Sequence, residues 1–321
     1  MFDLIYSVRH TTIFKYEPAV RESVMEVRLQ PRSDGDQRCL SFTLEVEPAA
    51  NVMQYRDFAG NTVHHFDIAG RHAQVKVTAQ STVEVQAPSV LRPSDAGDWA
   101  DLDALVASGD YWEMLLPSHF VHASALLESL AQELQCERRS NPLTQLTELN
   151  EAIYKIFAYV PHSTKVDSPI EDALHSRQGV CQDFAHIMIA LVRRLKIPCR
   201  YVSGYMFHRD PDEKDRSLEG ASHAWVEALM PRLGWVAFDP TNNLVGADRH
   251  IRIAIGRDYA DVPPTRGVYK GEAQSELSVV VTVSPADKAL PEPAAPHFVV
   301  RSRPSSTRPP SVRLEQEQQQ Q

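Results

Sequence analysis

Residues 179–205, GVCQDFAHIMIALVRRLKIPCRYVSGY, and residues 222–243, SHAWVEALMPRLGWVAFDPTNN, flank an acidic loop and decide how the chain is read. From Phe184 onward the apolar residues Phe184, Ile187, Met188, Leu191, Val192 and Leu195 recur at the spacing of one helical face, which predicts a helix packed on a core. Pro198 ends it. Cys181 falls in the first turn, where unpaired backbone N–H groups and the helix dipole favour an anion. That setting activates a thiol. Gly179 is expected to permit the turn that presents Cys181. His186 lies off the apolar stripe and is expected at the surface or between domains.

The second block predicts an antiparallel hairpin turning within Met230–Gly234. If Glu227 faces Trp235, then Trp225 faces Ala237 and His223 faces Asp239. One side of the ribbon carries His223, Trp225, Glu227, Trp235, Ala237 and Asp239; the other carries Ala224, Val226, Ala228, Val236 and Phe238. Only the second side is core-like, and a one-residue slip would bury the polar set, so the pattern itself argues for this register. Opposed Cβ atoms lie roughly 4.5–5.5 Å apart, which lets Asp239 hold the His223 ring in one tautomer. Thiol, imidazole and carboxylate are the three parts of an activated nucleophile. Trp225 and Trp235 share the site face as candidates to wall a substrate groove, against the plainer reading that they cover the hairpin.

GVCQDFAH, SHAW and GWVAFDPTN, in the order Cys, His, Asp, resemble the transglutaminase-like core of the papain-like cysteine enzymes over about residues 145–245. The resemblance implies Cys181 as nucleophile, His223 as general base and then acid, and Asp239 as the group that orients the histidine. It implies acyl transfer through a thioester on amide, peptide or isopeptide bonds, with no cofactor. Water as acceptor makes a protease or amidase, the expectation here; a lysine amine makes a protein-glutamine transglutaminase. A binding or scaffold module is the reading from another class, and the intact triad speaks against it. Acetyl transfer by the same triad needs a cofactor pocket for which no motif is seen. For the oxyanion, the Cys181 backbone N–H is one candidate donor and either Gln178 or Gln182 the second.

A chain of 321 residues with 43% hydrophobic content has room for two domains with buried cores. Its formal net charge of −9 argues against nucleic acid or an anionic membrane as the main partner, and leaves a peptide or protein amide substrate. Asp3 and Arg9 interrupt the N-terminal apolar residues and no run approaches about 18 apolar residues, so no export signal or membrane span is read and a cytoplasmic location is expected. Cys39, Cys136, Cys181 and Cys199 show no metal-ligand spacing, so no metal is expected. The acidic stretch RDPDEKDR (209–216) departs from a calcium loop at Lys214 and lacks the glycine, and reads as a solvated loop.

The fold class read from the chain is α+β. Residues 1–90 alternate, as in Tyr6, Val8, His10, Thr12, Phe14 and Tyr16, with a turn at Asp57–Asn61, and predict an all-β sandwich. YSVRHTTIFKYEPAV and DFAGNTV also resemble the β domain that precedes such cores in bacterial proteins. That domain is expected to be non-catalytic and to form one wall of a cleft. Residues 91–118 read as a linker with short helical pieces. Residues 119–285 read as the papain-like core of helices and antiparallel sheet. It includes stripes at Leu126, Leu127, Leu130 and Leu134 and at Leu146, Leu149, Ile153, Ile156 and Phe157. Ser168 is expected to cap a helix entered through Pro169, Ile170 and Glu171. Ser275–Val283 reads as a C-terminal strand, and 286–321, rich in Pro, Ser, Arg and Gln, as a disordered tail.

Overall fold

The computed structural model describes residues 4–86, 90–208, 215–218, 220–246, 249–286 and 313–316. Residues 209–214 of the acidic loop and most of the 286–321 tail lie outside the described residues.

The N-terminal unit is built on two long strands, β1 (Leu4–Val27) and β4 (Thr62–Val85), paired antiparallel from Leu4 opposite Val85 to Val27 opposite His64. Register shifts between Lys15 and Glu22 bend the pair. One half of β4 therefore carries β2 (Gln37–Glu47) and the other carries β3 (Val52–Arg56). Side chains alternate across these strands, so Phe14, Tyr16, Val20, Met25 and Val27 meet Phe66, Ile68, Val75 and Val77 in one apolar core. Bent at those shifts, one continuous sheet packs its two halves around this core, so the sandwich expected of 1–90 is made from a single sheet and not from two.

The connecting stretch holds α1 (Trp99–Ala107), started by Asp98, whose carboxylate accepts the Asp101 N–H. The second unit then runs α2 (Ala125–Glu133), α3 (Pro142–Ile156), β5 (Ala158–Tyr159), α4 (Ile170–Ser176), β6 (Gln178–Gly179) and α5 (Cys181–Arg194). Its sheet follows as β7 (Cys199–Met206), β8 (His223–Met230), β9 (Gly234–Asp239), β10 (Leu244–Val245) and β11 (His250–Gly256), in the spatial order β10-β9-β8-β7-β11, antiparallel throughout. α4 starts at Ile170, after Pro169 and without a side-chain cap; Ser168 instead accepts the Lys165 N–H at 3.1 Å.

α5 lies on one sheet face, with Phe184, Ile187, Met188 and Leu191 in the same core as Tyr201, Ala224, Val226 and Phe238. α2, α3 and α4 close its remaining sides, so it is buried from Cys181 to Arg193. The apolar stripe marked only the face toward the sheet. His186 is consequently buried rather than at the surface: it stacks on Phe120 at 5.1 Å, and its Nε2 accepts the Tyr259 N–H at 3.2 Å.

The C-terminal part of the 119–285 stretch belongs to the other unit. β12 (Thr265–Tyr269) and β13 (Gln274–Pro285) pair with the two halves of β1, filling the edge that β4 leaves open. The expected strand at Ser275–Val283 is thus a strand of the sandwich, and β14 (Arg313–Gln316), within the expected tail, pairs with β12. No helix among the described residues is long and apolar enough to cross a membrane.

Candidate active site

Cys181 is the first residue of α5, reached through a chain that doubles back sharply. Arg177 takes the left-handed conformation (φ 56°), not Gly179. Gly179 is required for closeness instead, since a Cβ there would stand 2.8 Å from the Asp183 Cβ. Asp183 caps the helix it belongs to: its Oδ2 accepts the Val180 N–H at 2.8 Å and the Thr164 hydroxyl at 2.5 Å. Burial pushes its carboxyl up, and these two hydrogen bonds restrain the rise, leaving it at about 6.

The hairpin carries the other two groups, in a register two residues from that expected. Met230 faces Gly234, and Glu227 faces Ala237 rather than Trp235. The cause is a three-residue turn, Pro231–Leu233, closed by Gly234 in the left-handed region (φ 73°). A shift of two keeps every side chain on its face, so His223 and Asp239 still meet, diagonally, with His223 Nε2 2.8 Å from Asp239 Oδ2. Nδ1, the other ring nitrogen of His223, has no hydrogen-bond partner and is the edge left for Cys181. Burial disfavours a charge on His223, but the Asp239 carboxylate and the Cys181 sulfur together raise it to about 10. Burial likewise opposes ionisation of Asp239, yet His223, with a further hydrogen bond from His250, holds its carboxyl well below the usual range. Cys181, His223 and Asp239 are each buried.

The expected open face of the hairpin is also buried. Trp225 has no exposed surface; it lies with Val202, Ala237 and Ile255 under Ala59 of the Asp57–Asn61 turn, its ring against His223 and His250. It therefore backs the histidines and does not wall an open groove. Trp235 sits four residues back along β9, roughly 13 Å from Asp239 by strand rise, under the Arg200 guanidinium at 4.1 Å. Gln178 is exposed, and the Gln182 amide nitrogen donates to Val166 O at 3.0 Å.

Two residues at the site carried no signal in the sequence. Asn242 donates from Nδ2 to Asp239 Oδ2 at 2.8 Å and accepts the Arg216 and Ser217 N–H groups on Oδ1. His250, on β11, places Nε2 3.1 Å from the same Asp239 oxygen. His223, Asp239 and His250 thus offer three ligand atoms within 4.8 Å of one another, a set a cation such as zinc could accept. Contacts of 2.8 and 3.1 Å are, however, those of N–H donors on a carboxylate. Cys136 and Cys199, each pushed up to about 11 chiefly by burial, lie in the core of the second unit. Cys39, on β2, is pushed up equally by burial.

The profile of the bacterial transglutaminase-like N-terminal region matches residues 6–84, and that of the transglutaminase-like superfamily matches 128–240. An uncharacterized protein of Mycobacterium leprae is 33% identical over 279 residues, covering 86% of this chain and 97% of its own. A protein-glutamine gamma-glutamyltransferase of Pseudomonas aeruginosa is 29% identical over 126 residues, 38% of this chain and 19% of its own. Among solved structures, a candidate cysteine protease from Cytophaga hutchinsonii superposes with a TM-score of 0.73 at 23% identity, over 90% of this chain and 92% of that one. That likeness is one of fold.

Proposed function

The chain belongs to the transglutaminase-like superfamily, and from that premise we propose that it is a cysteine-dependent acyl-transfer enzyme acting as a protease or amidase on a peptide or protein amide. The observation that carries the reading is the chain of contacts Cys181, His223, Asp239: a sulfur at a helix start, an imidazole beside it, and a carboxylate 2.8 Å from that ring's far nitrogen. The Cys181 thiolate attacks the amide carbonyl carbon while His223 holds the thiol proton on Nδ1. Collapse of the tetrahedral adduct breaks the C–N bond, and the imidazolium gives that proton to the departing nitrogen. Water, deprotonated by His223, then attacks the thioester and releases the carboxylate and the thiol. Asp239 keeps hydrogen on Nε2, so that Nδ1 faces the sulfur. The Cys181 backbone N–H, lacking an intrahelical acceptor at the first helical position, is the oxyanion donor in this reading.

Transfer to a lysine amine is the second reading, favoured by the likeness of the matched segment to the protein-glutamine gamma-glutamyltransferase of Pseudomonas aeruginosa. Nothing in the first half-reaction differs. The test is alkylation by iodoacetamide from pH 5 to 9, with labelled peptides located by mass spectrometry. Cys181 is expected to react at pH 6 to 7, where an ordinary thiol of pKa about 8.5 is slow, and to lose that reactivity in His223→Ala. Cys136 and Cys199 serve as slow internal controls. A Cys181 that reacts no faster than these and ignores His223 ends the enzyme reading. Product analysis with and without an added amine then separates hydrolysis from transfer.

A further inference from the structure

Asp239 is shared between two imidazoles, and only one of them has a part in the reaction above. His250 comes from β11, on the far side of the sheet from β9, yet its Nε2 lies 3.1 Å from the Oδ2 that His223 engages at 2.8 Å. An ionised carboxylate only accepts, so the Nε2 of both rings carries hydrogen. The reach across the sheet depends on Gly204: a Cβ there would meet the Trp225 ring at 2.6 Å and the Ile251 carbonyl oxygen at 2.1 Å. With no side chain at that point, the indole lies over β7 and supports the His250 ring at 4.8 Å, 60° from coplanar. His250 is 2% exposed, and its Nδ1 has no partner. A histidine serving only to fill space would be replaceable by a ring without nitrogen, and a buried, half-paired imidazole is a costly way to fill space.

We propose that His250 is a positioning residue for the Cys181–His223 pair: its Nε2–H pins the Asp239 oxygen against His223 and, by sharing that oxygen, limits how strongly the carboxylate holds the imidazolium. The inference rests on the acyl-transfer reading. Its physical content is a competition. Oδ2 accepts from His223, His250 and Asn242, and each donor added to a carboxylate lowers its affinity for the others' protons. Too strong a hold on the imidazolium proton makes His223 a poor acid toward the leaving nitrogen; too loose a carboxylate lets the ring turn away from the thiol.

Other charged and titratable groups nearby are already engaged. Beside His250 on the chain, Arg249 forms a bidentate pair with Asp215, which His208 also contacts. Tyr205 of β7 is hydrogen-bonded to His10 of β1, Arg252 of β11 reaches Glu227 of β8, and Tyr159 lies near Cys181. None of these is paired with Asp239, so a change at His250 is read by His223 through the carboxylate.

The test compares His250→Phe, which keeps a ring against Trp225 without a donor, with His250→Gln, whose amide nitrogen can reach the Nε2 position. The readout is the pH profile of Cys181 alkylation, taken after circular dichroism and thermal unfolding show both variants folded. In His250→Phe we expect the alkaline limb of the profile to move to higher pH, because the carboxylate then holds the imidazolium more strongly, and the plateau rate of Cys181 alkylation to fall roughly tenfold, the scale of one lost hydrogen bond to a charged group, because the Asp239–His223 pair is no longer pinned toward the thiol. His250→Gln should restore most of the rate and the limb position. Imidazole 15N shifts in the wild type should report hydrogen on Nε2 of His250. If His250→Phe keeps the wild-type profile, or His250→Gln is the more impaired of the two, the inference is overturned and His250 is packing. A wild type without His223-dependent reactivity would instead mark failure of the acyl-transfer reading itself.

Discussion

Asp239 receives five donors on two oxygens. Oδ1 accepts the backbone N–H groups of Thr241 and Asn242 at 2.9 and 3.2 Å, and Oδ2 accepts from His223, His250 and the Asn242 side chain. A carboxylate held this way cannot rotate, and whatever it fixes inherits its orientation. It also sets a pH signature. Asp239 is depressed on folding, so its contribution to stability is present above its unfolded pKa of about 3.9 and is lost as the pH falls below that. His223 is raised to about 10, so its contribution is complete below its unfolded pKa of about 6.5 and is lost as the pH rises from there through 10. The pair therefore stabilises most between about pH 4 and 6.5. Asp239→Asn, which sets an amide N–H against groups that must donate, should narrow the difference in urea midpoint between pH 5.5 and pH 9 and slow Cys181 alkylation at pH 7 by roughly 100-fold or more. An unchanged midpoint difference would deny the pair its role in folding. That Cys181, His223 and Asp239 come together was legible because each sits in a block that signals its own local structure. Asn242 and His250 were not: the first acts through the turn after Asp239, and the second arrives from a strand whose place in the sheet no local pattern encodes.

At the scale of elements, the decisive piece is the first turn of α5. Its stripe predicted the helix and the face toward the sheet, but the burial of all its sides follows from three further helices whose packing is not written in its own period. The cap was equally silent. Val180 at the N-cap position offers no side-chain acceptor, and Asp183 supplies one from inside the helix. The cost is a carboxylate buried two residues from Cys181. Since burial raises Asp183 to about 6 from an unfolded value near 4, the folded chain binds the extra proton, and this stabilising contribution is present below pH 4 and lost as the pH rises through 6. Asp183→Asn should remove that slope. Relative to the variant, the wild type is expected to lose roughly 2 to 3 kcal/mol of unfolding free energy between pH 4 and pH 7, measured by urea unfolding at each pH. A constant difference across that range would mean that the carboxyl titrates normally. The hairpin teaches the complementary lesson. Its alternating residues fixed which side chains share a face, while the turn, governed by one glycine, fixed the register, and an error of two residues left the site intact because strand faces repeat every two.

Across the whole molecule, the N-terminal unit is joined to the sheet of the second unit by substitution for a missing strand. β11 is an edge strand, and its outward backbone groups are satisfied by side-chain amides of the sandwich. Gln37 donates to Arg252 O and accepts Arg252 N–H, at 2.9 and 2.7 Å; Asn61 does the same to Ile255, at 2.8 Å each way. Between these clamps the Arg252 side chain pairs with Asp36 of the sandwich and with Glu227, itself 1% exposed and bonded to Arg200. Alternation in residues 1–90 announced the sandwich, but not this dock, because a single amide that mimics a strand has no periodicity. The same contact explains why the polar side of the hairpin, expected to be open, is covered: the Asp57–Asn61 turn that carries Asn61 also sets Ala59 against Trp225. β11 in turn carries His250, so the strand that the sandwich clamps is also one that reaches the site. Asn61→Ala should leave the Ile255 N–H and C=O buried and unpaired and lower stability by about 2 to 4 kcal/mol, one lost pairing for each group. Hydrogen exchange distinguishes this from general loosening. The Ile255 amide should exchange faster in the variant while amides in the middle of α5, such as Met188, keep their protection relative to the lowered global stability. If Ile255 exchanges no faster than that global change requires, the amide clamp is not what holds β11 to the sandwich.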